Sequence, residues 1–159
     1  MLKLLARTEQ EQEEIAATLA RYLPAACLIY LEGDLGAGKT TFARGMLRAL
    51  GHAGAVKSPT YTLIEPYDIA GRRCYHLDLY RLADPDELEY LGIRDLLQGE
   101  ALLLVEWPEQ GGDALPPPDL LIRISYVQAG RLLELEAKTS LGETLVACME
   151  SAYGDKVKS

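Results

Sequence analysis

Residues Gly33-Asp34-Leu35-Gly36-Ala37-Gly38-Lys39-Thr40 fit G-x-x-x-x-G-K-[ST], a pattern that wraps backbone amides around the phosphates of a nucleotide. The chemistry explains the residue types. Converging N–H groups hold the phosphate oxygens, so the chain must curl through backbone conformations that glycine adopts freely. Gly36 and Gly38 supply that freedom. Lys39 is placed to reach the β and γ phosphates, and the Thr40 hydroxyl to ligate Mg²⁺. Such a loop must leave a strand and enter a helix whose first amides and dipole favour the anion. Both are foreshadowed: the apolar run Cys27-Leu28-Ile29-Tyr30-Leu31 precedes it, and Phe42, Met46 and Leu50 follow at helical spacing. These residues point to a nucleoside triphosphate.

A triphosphate with Mg²⁺ also needs a carboxylate at the end of a neighbouring strand. Two positions qualify. Leu102-Leu103-Leu104-Val105-Glu106 is a fully apolar strand that ends in an acid, which makes Glu106 the metal-side carboxylate. Tyr75-His76-Leu77-Asp78 is a half-buried strand, and period two puts His76 and Asp78 on one face, opposite Tyr75, Leu77 and Leu79. Asp78 is then placed to orient or deprotonate the attacking water. His76 reads as a structural histidine rather than a base. Ser58-Pro59-Thr60 is either a switch segment sensing the γ phosphate and metal or a plain proline turn. Trp107 packs on the site, offers a partner an aromatic anchor, or fills the core. Arg81 reads as a salt-bridge partner for one of the many acids rather than a cation on the transferring phosphoryl group. Guanine-specific switch proteins use Asn-Lys-x-Asp, and this chain has no asparagine, so elimination favours ATP. Asp68-Ile69-Ala70-Gly71 matches a D-x-x-G switch string but falls on an expected hairpin turn.

The elements that must position these residues follow from the rest of the pattern. Thr8 and Glu11 form a capping box for a helix bearing Ile15, Leu19, Tyr22 and Leu23, closed by Pro24. Strands are expected over 26–31 and 101–105, the second fully apolar as in a sheet buried on both faces. Hairpins are expected over 62–69 with 73–79, turning at Ala70-Gly71, and over 119–127 with 131–138, turning at Ala129-Gly130. Asp84-Pro85-Asp86-Glu87 starts a helix that Gly92 stops, and Ser140 with Glu143 boxes a last one. The fold class is α/β, with a mixed sheet that is parallel around the phosphate loop and antiparallel at the hairpins. The 159 residues make a single domain over 1–153, with a frayed tail over 154–159.

Charge bounds the partners. Sixteen Lys and Arg against 24 Asp and Glu give −8, with the basic residues scattered, so a nucleic-acid role would run through a partner protein. No run approaches a membrane span, and Met1–Leu5 is too short for the apolar region of an export signal. Cys27, Cys74 and Cys148 have no metal-ligand spacing and each lies in an apolar segment, which suits buried free thiols in a reducing cytoplasm.

Four strings together, Gly33–Thr41, Ser58-Pro59-Thr60-Tyr61-Thr62-Leu63, His76-Leu77-Asp78-Leu79-Tyr80-Arg81-Leu82 and Glu106-Trp107, closely resemble the bacterial TsaE (YjeE) family. They occur in the family's order, and the resemblance runs from the first helix to the final hairpin. It implies a small cytoplasmic P-loop NTPase-like three-layer fold that hydrolyses ATP weakly alone. The implied task is threonylcarbamoyladenosine formation at adenosine 37 of tRNA, with TsaB and TsaD as partners and tRNA met only through their complex. TsaE would activate or reset that complex rather than transfer the group. By motif, the family's magnesium ligands fall on Thr40 and Glu106 and its catalytic aspartate on Asp78. Thr60 falls in its switch-like loop, and Thr8, Glu9 and Arg131 are further candidate nucleotide contacts. The rivals are a small-molecule kinase and a non-catalytic module that ATP merely orders. A kinase needs a basic lid, and Pro108–Pro118 carries no basic residue.

Overall fold

The computed structural model describes residues 1–154. Seven strands form one sheet in the order β1-β7-β6-β2-β5-β4-β3. Its centre is parallel: β6 (Leu120–Val127), β2 (Cys27–Glu32), β5 (Leu102–Glu106) and β4 (Arg72–Asp78) run side by side. Three antiparallel strands complete it, β7 (Gly130–Ala137) and β1 (Leu2–Ala6) on one side and β3 (Ile64–Ile69) on the other. The mixed α/β sheet expected from the sequence is the one observed.

The central strands are apolar because both of their faces are covered. Ile29 and Leu31 of β2 and Leu102 and Leu104 of β5 pack on one face. There they meet α1 (Glu9–Ala20), α2 (Lys39–Ala49) and α5 (Ser140–Tyr153), through Leu19, Phe42, Met46, Leu145 and Met149. Leu28, Tyr30, Leu103 and Val105 face the other way, onto Leu88 of α3 (Glu87–Tyr90) and Ile93 of α4 (Ile93–Gln98). Three layers result, and the parallel strands deliver their C-terminal ends to one rim.

Several elements depart from the expectation. β1 was not foreseen: Leu2, Leu4 and Ala6 turn inward and pair along β7, with Lys3 and Leu5 outside. The helix after Asp84 lasts one turn, because Gly92 enters the left-handed region and a second helix, α4, starts directly behind it. The N-cap of α3 is Asp86, without a side-chain cap bond, rather than Asp84, whose carboxylate accepts the Asp86 N–H at 2.9 Å in the turn before the helix. The last hairpin turns at Gln128-Ala129, one residue early, since Val127 pairs with Gly130. The N-cap of α5 is Thr139 rather than Ser140, its hydroxyl accepting the Gly142 N–H. At α1 the Thr8 hydroxyl takes the Glu11 N–H, while the Glu11 carboxylate takes the N–H of Arg7 rather than of Thr8. Cys27 and Cys74 are buried free thiols, but Cys148 is only half-buried. The first hairpin does turn at Ala70-Gly71, with the Asp68 carboxylate accepting the Gly71 N–H, so the D-x-x-G string is turn chemistry. The expected tail beyond Gly154 lies outside the described residues. Among those residues, no helix is long and apolar enough to cross a membrane.

Candidate functional site

The loop from Gly33 to Gly38 leaves the end of β2 and runs into α2, whose N-terminus no side chain caps. Gly38 has φ +109, and a Cβ there would fall 2.3 Å from the Gln12 amide nitrogen. That closeness reflects a hydrogen bond, because Gln12 Nε2 donates to the Gly38 carbonyl at 2.7 Å. Gln12 is buried on the same stripe of α1 as Ile15, Ala16 and Leu19. From the opposite side Arg131 of β7 donates through Nε to the Ala37 carbonyl at 3.1 Å, its guanidinium lying 4.0 Å from the Tyr126 ring centre. The loop is thus held by α1 on one flank and the last hairpin on the other.

Two clefts of about 230 Å³ each flank the loop. The first brings together Thr8, Glu9, Gln12, Gly36, Ala37, Gly38, Thr41 and Arg131. Thr8 and Glu9 therefore share one wall with the glycines and with Arg131, which is distant in sequence. Glu9 is engaged by Arg44 at 2.7 Å and by the Thr41 hydroxyl at 3.3 Å.

The second cleft is lined by Leu35, Lys39, Thr40, Thr60, Asp78, Glu106 and Trp107. Lys39 is only 5% exposed. Its ammonium donates to the Gly33 and Asp34 carbonyls at 2.5 and 3.0 Å and sits 4.3 Å from the Trp107 ring centre. Burial pushes its pKa below the ordinary lysine value, opposed by the charges of Glu106, Asp78, Asp34 and Glu109. The Thr40 hydroxyl donates to Glu106 at 3.1 Å, joining the first turn of α2 to the end of β5. Asp78 accepts from the Thr60 hydroxyl at 3.2 Å and from the Tyr80 N–H at 3.0 Å. Ser58 and Thr60 hydroxyls lie 2.7 Å apart, so the Ser58-Pro59-Thr60 loop is tied to a strand-end carboxylate. Trp107 has φ +56, a left-handed backbone that costs a bulky residue strain and concentrates at functional sites. It packs on Tyr80 with ring centres 5.0 Å apart.

Arg81 does otherwise than expected: its guanidinium lies over the Tyr61 ring at 4.7 Å, and no carboxylate pairs with it among the described residues. Gln12 and Tyr126 were not singled out from the sequence. A polar residue inside the apolar stripe 12-15-16-19 of α1 was the available signal for Gln12.

Residues 6–133 match the family model described as threonylcarbamoyl adenosine biosynthesis protein TsaE. A relative from Haemophilus influenzae, named tRNA threonylcarbamoyladenosine biosynthesis protein TsaE, is 53% identical over 126 residues, covering 79% of this chain and 80% of the relative. A Bacillus subtilis protein of the same name is 40% identical over 115 residues, 72% of each chain. The crystal structure of Bacillus subtilis YdiB superposes with a TM-score of 0.82 at 30% identity, over 95% of both chains. Sequence and fold converge, and the chain belongs to the TsaE family of threonylcarbamoyl adenosine biosynthesis proteins.

Proposed function

We propose that this protein is a cytoplasmic, Mg²⁺-dependent ATPase that serves threonylcarbamoyladenosine formation on tRNA by activating or resetting a TsaB–TsaD complex. The observation that carries the reading is the meeting of Thr40 and Glu106 at 3.1 Å beside Lys39, at the mouth of a glycine loop. A hydroxyl and a carboxylate are hard oxygen donors of the kind Mg²⁺ takes, and two protein ligands suit an ion that keeps waters and phosphate oxygens for the rest. Thr40 and Glu106 would hold the ion, which would supply positive charge against the negative charge of the phosphates.

The chain's own residues divide the remaining work. The curled amides of residues 33–38 and the open N-terminus of α2 hold phosphate oxygens. Lys39 moves from the Gly33 and Asp34 carbonyls to the β and γ phosphates, a short swing for a group already inside the loop. Asp78 accepts a hydrogen bond from the attacking water and orients it. Thr60, bonded to Asp78, sets that carboxylate's rotamer and couples it to the 58–60 loop. Thr8, Glu9 and Arg131 contact the nucleoside end in the first cleft.

The acidic chain meets tRNA only through its partners. A kinase is disfavoured because Pro108–Ala114 forms a 3₁₀ turn with Pro108 and Gly111 buried and bears no cation for a phosphate clamp. The test is phosphate release from ATP by the protein alone, then with purified TsaB and TsaD. Slow turnover that the pair accelerates is expected. Turnover only with a small-molecule acceptor would identify a kinase, and ATP binding without turnover in any mixture would identify a binding module.

A further inference from the structure

His76 is fully buried in the middle of β4, where an aliphatic side chain would pack without polar cost. Its Nε2 lies 2.6 Å from Glu106 Oε2. The β4–β5 register pairs His76 with Leu104 and Asp78 with Glu106, so His76 and Glu106 are diagonal neighbours on one face. We propose that His76 is a positioning residue for the metal-side carboxylate: its Nε2–H donates to Glu106 Oε2 and fixes the rotamer that presents the carboxylate to Thr40 and to Mg²⁺. This rests on the reading of Thr40 and Glu106 as magnesium ligands.

Three observations carry it. Glu106 is 3% exposed and, as a carboxylate, can only accept, so a 2.6 Å contact requires the proton on His76 Nε2. His76 Nδ1 has no hydrogen-bond partner. The contact to Glu106 is therefore the one side-chain hydrogen bond that anchors the ring among the described residues. His76 also lies outside the lining of the Lys39–Trp107 cleft, which it meets through Glu106. Carboxylate ligands are commonly held by such outer partners, whose loss costs roughly ten- to a hundredfold in metal affinity.

The test compares wild type, His76→Gln, whose amide nitrogen can stand near the place of Nε2, and His76→Leu, which keeps the apolar volume without a donor. Mn²⁺ binding in the presence of a non-hydrolysable ATP analogue is read by electron paramagnetic resonance. Analogue binding in EDTA is read by calorimetry. We expect Mn²⁺ affinity to fall about ten- to a hundredfold in His76→Leu and to recover to within a few-fold in His76→Gln, with EDTA binding unchanged in both. Equal Mn²⁺ affinity in wild type and His76→Leu, or no recovery in His76→Gln, overturns the role. Should a variant not fold, nitrogen-15 correlation spectra of the wild type decide: a His76 ring without a proton on Nε2 overturns it, and one bearing that proton supports it. A wild type that binds analogue but no Mn²⁺ overturns the magnesium reading itself, and this role with it.

Discussion

Asp78 and Glu106 face each other in register across β4 and β5, yet each is held by a different segment: Thr60 donates to Asp78, and Thr40 donates to Glu106. Asp78 answers to the 58–60 loop and Glu106 to the first turn of α2. Both are nearly buried, Asp78 at 5% exposure. Adjacent acids with separate tethers can hold separate roles, because each is oriented by its own donor rather than by the other.

Asp78→Asn and Glu106→Gln should therefore fail differently. Glu106→Gln removes a charge from the metal side, so the Mg²⁺ needed for half-maximal rate should rise. Asp78→Asn should lower turnover with ATP–Mg²⁺ affinity nearly kept, as expected when an interaction made only in the transition state is lost. Metal titrations of steady-state rate check this. The reverse pattern would exchange the two roles.

Lys39→Ala should weaken ATP binding about ten- to a hundredfold, since a charge-assisted hydrogen bond is worth roughly 1.5–3 kcal/mol. The fold should survive, because the lysine's partners are carbonyls of its own loop. Trp107 is the sole tryptophan and lies 4.3 Å from the Lys39 ammonium. Its fluorescence should change on ATP addition in the wild type and stay flat in Lys39→Ala. Undiminished binding by the variant would sink the phosphate-loop assignment.

The scaffold can be tested without touching the clefts. A Cβ at Gly142 would fall 1.9 Å from the Asp119 carbonyl oxygen. Asp119 cannot yield easily, since its N–H donates to Leu28 and its carboxylate accepts from the Leu28 N–H and the Thr139 hydroxyl. Gly142→Ala should cost about 1–3 kcal/mol. For a chain of this size that lowers Tm by roughly 2–4 °C per kcal/mol. Calorimetry reads it, and an unchanged Tm would show that α5 does not dock as described.

The thiols should divide by burial. Cys27 is pushed up from 9.0 to about 12, first by burial and then by the charge of Asp119. Burial also raises Cys74. Iodoacetamide at pH 8 should label half-buried Cys148 before either of them, read by peptide mass spectrometry. The linkage sign follows: a thiol whose folded pKa is raised contributes stability fully below pH 9.0. That contribution is lost as pH climbs toward about 12. Urea midpoints should fall over that window, and less steeply in Cys27→Ala.

The phosphate loop, its strand and helix, and the apolar β5 with its terminal acid were legible because each is a local pattern. Four glycine and lysine positions, or five residues buried on both faces, leave few alternatives. What was not legible depends on partners elsewhere in the chain. Leu2-Lys3-Leu4-Leu5-Ala6 is a strand only because β7 offers an edge, and Leu5 breaks the alternation that would have announced it. Gly92 ends one helix and caps the next, so a stop signal was also a start. His76 reads as a core histidine until the register sets it diagonal to Glu106. Arg81 had many acids to choose from and lies on an aromatic ring instead.

How an acidic chain takes part in tRNA modification yields the last prediction. At −8 with scattered basic residues, phosphate neutralisation, which supplies most non-specific affinity, is not available. The isolated protein should show no measurable tRNA binding at physiological salt in a filter assay. Under the proposed function, action on TsaB–TsaD depends on nucleotide state, because an effector shifts an equilibrium only by its differential affinity for two states. The 58–60 loop and the Glu106-Trp107 corner are the segments a bound γ phosphate would reach, and Tyr61 beside them is 82% exposed. Calorimetry with the purified pair should give different affinities for ATP-bound and nucleotide-free protein. Asp78→Asn, which slows turnover without releasing ATP, should hold the ATP-bound value for longer. Equal affinity in both states, or tight tRNA binding by this chain alone, would remove the basis for a nucleotide-gated partner.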